Sequence, residues 1–220
     1  QEPLRAAPVF NSFYLGCVMI SVGGLFSAWY LKQQRHHLSQ EVSYIATALF
    51  CWGVLWWFGG GFEEITAYVR VRPLELRFYR VPIVLLFVTV SCALFSVLQR
   101  RLSWDDARYP VIALLPLIYA LALGNATWAA HPLEYFGYVL WPLAFAVHLW
   151  LLRRHENEIP FAHWWHAAGV WLFAALAAWE VGWWIGELVR GGDVWRLIGW
   201  PLVPLVLVAW LSDRGERIAW

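Results

Sequence analysis

The chain has 220 residues, 61% of them apolar and 14% charged, with 16 basic side chains against 15 acidic ones and a formal net charge of +1. Soluble domains carry about 25% charged residues, so this composition, with a mean hydropathy of +0.53, excludes an ordinary water-soluble domain and points to a bilayer as solvent. A near-neutral chain without a basic stripe also excludes nucleic acid as a partner.

Seven apolar stretches, at about 10–31, 42–62, 81–98, 111–130, 136–152, 161–186 and 195–211, are candidates to cross a hydrocarbon core of about 30 Å, which takes about 20 residues of helix. They are unbroken rather than alternating, and lipid requires each spanning segment to satisfy its own backbone, so they predict an all-α, polytopic transmembrane bundle of about seven helices. The first stretch lacks the basic start and small-residue cleavage site of a signal peptide and reads as a true span. The second carries Trp52-Gly-Val54-Leu-Trp56-Trp57-Phe-Gly59. Between the second and third lies a linker with Arg70, Arg72, Arg77 and Arg80 interleaved with Tyr, Leu and Phe, a pattern suited to lying flat among headgroups. The fifth stretch, Phe136 to Leu152, is the shortest. The sixth carries Trp179-Glu-Val181-Gly-Trp183-Trp184-Ile-Gly186, which repeats the string of the second, W-x-V-x-W-W-x-G, 127 residues on.

This doubling extends outward. Gly16, Val18, Trp29 and Leu31 match Gly137, Val139, Trp150 and Leu152 at an offset of 121, and Pro82, Val84 and Leu86 match Pro201, Val203 and Leu205 at an offset of 119. Helices one to three therefore pair with helices five to seven, which supports the short fifth span. Four crossings return the chain to its starting side, so the repeat is expected to be parallel. The expected units are 1–130 (helices one to four) and an incomplete 131–220 (helices five to seven). A matching eighth helix would follow Trp220, and Gln1 stands where an initiator Met would, so the chain reads as an excerpt of a longer polytopic protein whose remainder is one of its partners.

Orientation follows from the basic residues. Lys32, Arg35, Arg100, Arg101, Arg108, Arg153, Arg154, Arg214 and Arg217 fall on one side, nine against seven; the positive-inside rule makes that side cytoplasmic and places the start of the chain in the periplasm. Cys17, Cys51 and Cys92 lie inside spans with no metal or disulfide spacing and read as small packing residues.

Most of the 18 tryptophans suit the interfacial belt, as at Trp164, Trp165, Trp195, Trp200 and Trp210. The doubled motif differs in placement. Trp52 and Trp56, like Trp179 and Trp183, share a helix face, while Trp57 and Trp184 follow directly; Gly59 and Gly186 end the strings, and Gly182 with Gly186 forms a GxxxG. Small residues allow close helix approach in lipid, so packing between the repeats is the preferred reading. The first string is also similar at its start to the W-G-x-x-W-x-W-D stretch of haem-handling membrane proteins, though the Asp is missing.

Ionisable residues inside spans are costly and are functional candidates by default. Glu180 is the clearest, and its counterpart in the first repeat is Gly53. Asn125, Thr127 and the Trp183 indole are its expected partners; a hydrogen-bonded helix clamp and a protonatable site are the competing roles. His163 and His166, one turn apart, with His148 at similar depth, could ligate a transition metal; the commoner reading is headgroup contact. No cofactor is expected.

Trp164, His166, Trp171, Glu180, Trp183, Trp195 and Pro204 follow a W-x-H-A-x-G-x-W-L pattern, then A-x-E-x-x-W and W-R-L with a later proline, and Pro8-Val-Phe10-Asn11 leads into the first span. On these residues the chain resembles the bacterial membrane proteins of the domain of unknown function 2339 family. The resemblance implies a multi-pass protein of the bacterial inner membrane and supplies no reaction. With no nucleophile, phosphate loop or paired carboxylates in view, the leading expectation is a non-enzymatic module, a scaffold or transport component, with a homo-oligomer compatible with it. The alternatives are a secondary transporter using Glu180, a membrane enzyme acting on lipid-linked substrates, and a haem- or metal-handling protein.

Overall fold

The computed structural model describes residues 10–34, 40–70, 78–159, 161–189 and 193–218. Seven long helices account for nearly all of them: α1 (Ser12–Gln33), α2 (Gln40–Arg70), α3 (Arg80–Arg101), α4 (Arg108–Asn125), α5 (Gly137–Arg154), α6 (Ala162–Leu188) and α7 (Gly199–Ile218), with 3-10 turns at Asp105–Ala107 and Asp193–Ile198. No strand occurs among the described residues. Most of the linker between α2 and α3, including Arg72 and Arg77, lies outside them, as do Pro8, Val9, Arg35 and Arg190.

Six helices are long and apolar enough to cross a membrane; α5 is not among them. Its 18 residues include Arg153 and Arg154 in the last turn and a buried His148. Large apolar side chains nevertheless face outward along the chain, among them Met19, Phe26, Leu55, Val90, Leu94, Leu205 and Val206, which is the arrangement lipid favours and water does not.

The chain divides into two compact units, Gln1–Leu114 and Leu115–Trp220, with the division inside α4. In the first unit the closest helix pair is α1 with α2. The buried face of α1 is Cys17, Ser21, Gly24 and Ala28, four small residues at alternating spacings of four and three, which bring a left-handed seam to one face. A Cβ on Gly24 would stand 3.1 Å from the Leu49 carbonyl, and one on Gly53 2.9 Å from the Leu25 nitrogen. At that closeness Ser21 Oγ donates to the Gly53 carbonyl at 2.8 Å. Phe50, Phe95 and Trp104 fill the space beside this seam, Phe50 meeting the edges of both other rings. The C-terminal end of α1 is fixed by Trp29 Nε1 and Gln33 Nε2, which both donate to the Leu102 carbonyl, and by Lys32 with Asp106 at 3.3 Å.

In the second unit the dominant pair is α6 with α7 and the 3-10 turn before it, while α5 touches α6 far less. The helix pairing of the two units is therefore not the same. Gly182 and Gly199 make the close approach: a Cβ on Gly199 would meet the Gly182 Cα at 2.9 Å.

Candidate functional site

Glu180 lies eight residues before the C-terminal end of α6, about 12 Å along the axis at 1.5 Å per residue. A carboxylate buried there is costly unless donors surround it. It has them. Oε2 accepts from His131 Nδ1 at 2.9 Å and from the Leu133 amide at 3.2 Å; Oε1 accepts from Trp184 Nε1 at 2.8 Å. With the carboxylate ionised, Nδ1 is the protonated nitrogen of His131. The side chains of His131 and Glu180 are 16% and 12% exposed, so the pair is screened from water on most sides.

The same stretch of α6 grips the same turn twice more. Trp183 stacks on the His131 ring at 3.9 Å with the planes 19° apart, and Trp179 Nε1 donates to the Ala130 carbonyl at 3.1 Å. The turn also holds itself, through the Ala130 amide and Glu134 Oε2 at 2.8 Å and through the left-handed residues Tyr135 (φ 47°) and Phe136 (φ 67°). Glycine at 137 fits this geometry because a Cβ there would run into the Pro132 carbonyl. The result is a carboxylate and two indoles of α6, those of Trp179 and Trp183, fastening residues 130–133 to that helix, with the Trp184 indole holding the carboxylate from within α6.

Sequence reasoning identified Glu180 but not its partners. Asn125 is buried at the end of α4, where its carbonyl accepts from the amides of Trp128 and Ala129; Thr127 lies past the helix end and its hydroxyl donates to Gly124. The indole bonded to Glu180 is that of Trp184, while Trp183 contributes its face. His131 escaped notice because it sits in a loop with no motif around it. One clue was available: an isolated intramembrane carboxylate needs a donor, and His131 is in the loop on the same side.

In the first copy of the doubled motif the tryptophans act differently. Trp52 and Trp56 meet edge to face at 5.7 Å, and Trp57 Nε1 donates to Ser91 Oγ at 3.0 Å. Gly59 is exposed, with nothing within 4 Å of where its Cβ would stand; the close contacts fall on Gly53, Gly60 and Gly61. In the second copy Gly186 and Gly182 make room for Arg196, a Cβ on Gly186 coming 2.7 Å from the Arg196 Cγ and one on Gly182 2.7 Å from its carbonyl. The approach these two glycines allow is thus between α6 and the turn leading into α7. Cys17 and Cys92 are buried, as packing residues are, whereas Cys51 is exposed.

The histidines divide. His163 and His166 line a cavity of about 490 Å³ with Arg153 and Glu156, and His166 Nε2 lies 3.6 Å from Glu156 Oε1. His148 is buried against α6, where a Cβ on Gly169 would come 3.1 Å from its Nε2, and it is not part of that cavity's lining. Among the described residues no group of three or more His, Cys, Asp or Glu is arranged to hold a metal ion.

A helical chain whose large apolar residues face outward, with six helices long and apolar enough to cross a membrane, is an integral, multi-pass membrane module. Its sequence says which one. The model of the predicted membrane protein family DUF2339 matches residues 36–220, and the chain belongs to that family. Comparisons with curated proteins and with solved structures found no match.

Proposed function

We propose that the chain is a non-enzymatic module of a larger bacterial envelope protein, held in the inner membrane as a scaffold or a transport component, with the C-terminal end of α1 on the cytoplasmic side. The observation that carries this reading is the use of Glu180. Both its oxygens accept from groups of the unit's own framework, which is what a structural clamp requires. The first unit has a clamp of the same kind: Asn11 caps α1 by accepting from the Tyr14 amide and donates through Nδ2 to Glu64 of α2 at 2.8 Å. In each unit a carboxylate on one helix fastens the lead-in to the helix before it. The two carboxylates stand at different positions of the repeat, the counterpart of Glu180 being Gly53, so descent of the two units from one parallel duplicated unit is supported by the doubled sequence alone.

A second reading has one observation in its favour. The carboxylate and imidazole of Glu180 and His131 share a hydrogen bond in a largely enclosed site, an arrangement able to pass a proton. Reconstitution of the protein in vesicles loaded with a pH-sensitive dye, under an imposed potassium diffusion potential, separates the two. The clamp reading predicts proton flux no greater than in protein-free vesicles. Flux above that level, abolished in a folded Glu180→Gln protein, establishes the proton pathway instead.

A further inference from the structure

The Glu180 clamp leaves one ring nitrogen of His131 unused. Nδ1 holds the carboxylate at 2.9 Å, whereas Nε2 bonds to none of the described residues and is not among their enclosed polar atoms. A proton can therefore join the ring at Nε2 without breaking any bond the clamp already makes. One face of the ring lies on Trp183, with the planes 19° apart.

The surroundings suit a positive charge there. Glu180 meets the ring from α6. Glu134 lies in the same turn, its Oε2 on the Ala130 amide, and Glu187 follows Glu180 by two turns on the same face of α6. Neither α6 nor residues 126–136 contain Lys or Arg. The nearest cation of the following turn, Arg196, packs against Gly182 and Gly186, which point away from Glu180 by about 200° and 240° around the helix. Histidine is the side chain whose charge changes near neutral pH. Once His131 is charged, its bond to Glu180 becomes a charge-assisted pair, the stronger kind, and the stacked ring becomes a cation on the face of an indole, the best aromatic partner for one.

We propose that His131 makes the clamp a pH-sensitive latch, in which a proton taken at Nε2 tightens the hold of α6 on residues 130–133. The latch rests on the reading of Glu180 as a clamp. In the closed turn the imidazolium has a carboxylate and an indole beside it; in the open turn it has water. Lowering the pH therefore favours the closed turn, and that part of the hold is lost as the pH rises through the range in which imidazole titrates.

Hydrogen exchange of the Leu133 amide in the whole protein, in detergent, tests this at about pH 8 and at about pH 5.5, which stays above the usual carboxylate range. Each rate is divided by that of an unstructured peptide of the same sequence at the same pH, so that the quotient reports opening of the turn. Wild type is expected to open about fivefold less at the lower pH, the size of one cation–π contact formed in a partly enclosed site. Trp183→Leu keeps the bond to Glu180 and should reduce this ratio to about twofold. His131→Gln keeps an N–H donor for the carboxylate but does not titrate, and should bring the ratio to about one; circular dichroism checks that each variant is folded. Opening as frequent in wild type at the higher pH as in Glu180→Ala would show that no clamp exists, and the latch falls with it. A clamp that holds at the higher pH but tightens no further at the lower, or a ratio that persists unchanged in either folded variant, overturns the latch and leaves the clamp standing.

Discussion

Replacing Glu180 by Ala removes the acceptor of three donors at once. A hydrogen bond to a charged group is worth about 1.5–3 kcal/mol in soluble proteins, but side-chain bonds inside membrane proteins average about 0.6 and reach about 1.7 kcal/mol. The Trp184 side of the site is open to solvent or headgroups, since that residue is 51% exposed, and its indole can find another acceptor. The bonds to His131 and the Leu133 amide are the ones lost without replacement. Taking the middle of the membrane range, about 1 kcal/mol for each of these two, Glu180→Ala should free the 130–133 turn by about 2 kcal/mol. Local opening of that size speeds amide exchange about 30-fold. Hydrogen exchange of the Leu133 amide, followed by mass spectrometry in detergent, reads this directly, with amides of α3 as an internal reference. Glu180→Gln keeps one acceptor oxygen and should fall between. Exchange at Leu133 that changes less than about twofold in Glu180→Ala, with α3 unaffected, would refute the clamp.

Other substitutions test the packing. Gly53→Ala forces a Cβ against the backbone of Leu25 and Ser21 and should destabilise the protein by about 1–3 kcal/mol, the usual range for overpacking, whereas Gly59→Ala meets open space and should change stability by under about 0.5 kcal/mol; unfolding followed by steric trapping compares them. Gly182→Ala drives a Cβ into the Arg196 carbonyl and should loosen the 193–198 turn, seen as faster proteolysis between α6 and α7; unchanged cleavage would argue against the contact. Ser21→Ala deletes a hydroxyl that is fully buried on the Gly53 carbonyl and should cost about 0.6–1.7 kcal/mol in the same unfolding measurement.

The seven helices were legible because lipid leaves little choice: an apolar run must satisfy its backbone internally, and each of the runs became a helix. The ends were less legible. α2 continues to Arg70, past the apolar run that stops near Phe62, and its extra turns carry Glu64 to Asn11; the fourth helix stops at Asn125, because residues 126–136 form turns that α6 holds from outside. The site was half legible. Glu180 stood out by chemistry alone, whereas His131 acquires its role only from a fold that places a loop residue beside a helix 49 positions away. The doubled tryptophans announced a common plan, but they did not announce that Gly53 would receive a helix and Glu180 a turn. That difference depends on what packs opposite, which the motif does not contain.

The arrangement in the membrane rests most heavily on α5, the one long helix too short or too polar to be recognised as a span by itself. Single cysteines at Gln34 and Asn157, both exposed, placed in a protein with Cys17, Cys51 and Cys92 replaced, and labelled in intact cells with a membrane-impermeant maleimide, test it directly. Four crossings by α2 to α5 put both positions on one side, and the parallel plan predicts that both are protected until the membrane is permeabilised. Labelling of one position and protection of the other would mean that one of these four helices does not cross, and would contradict the two like-oriented halves.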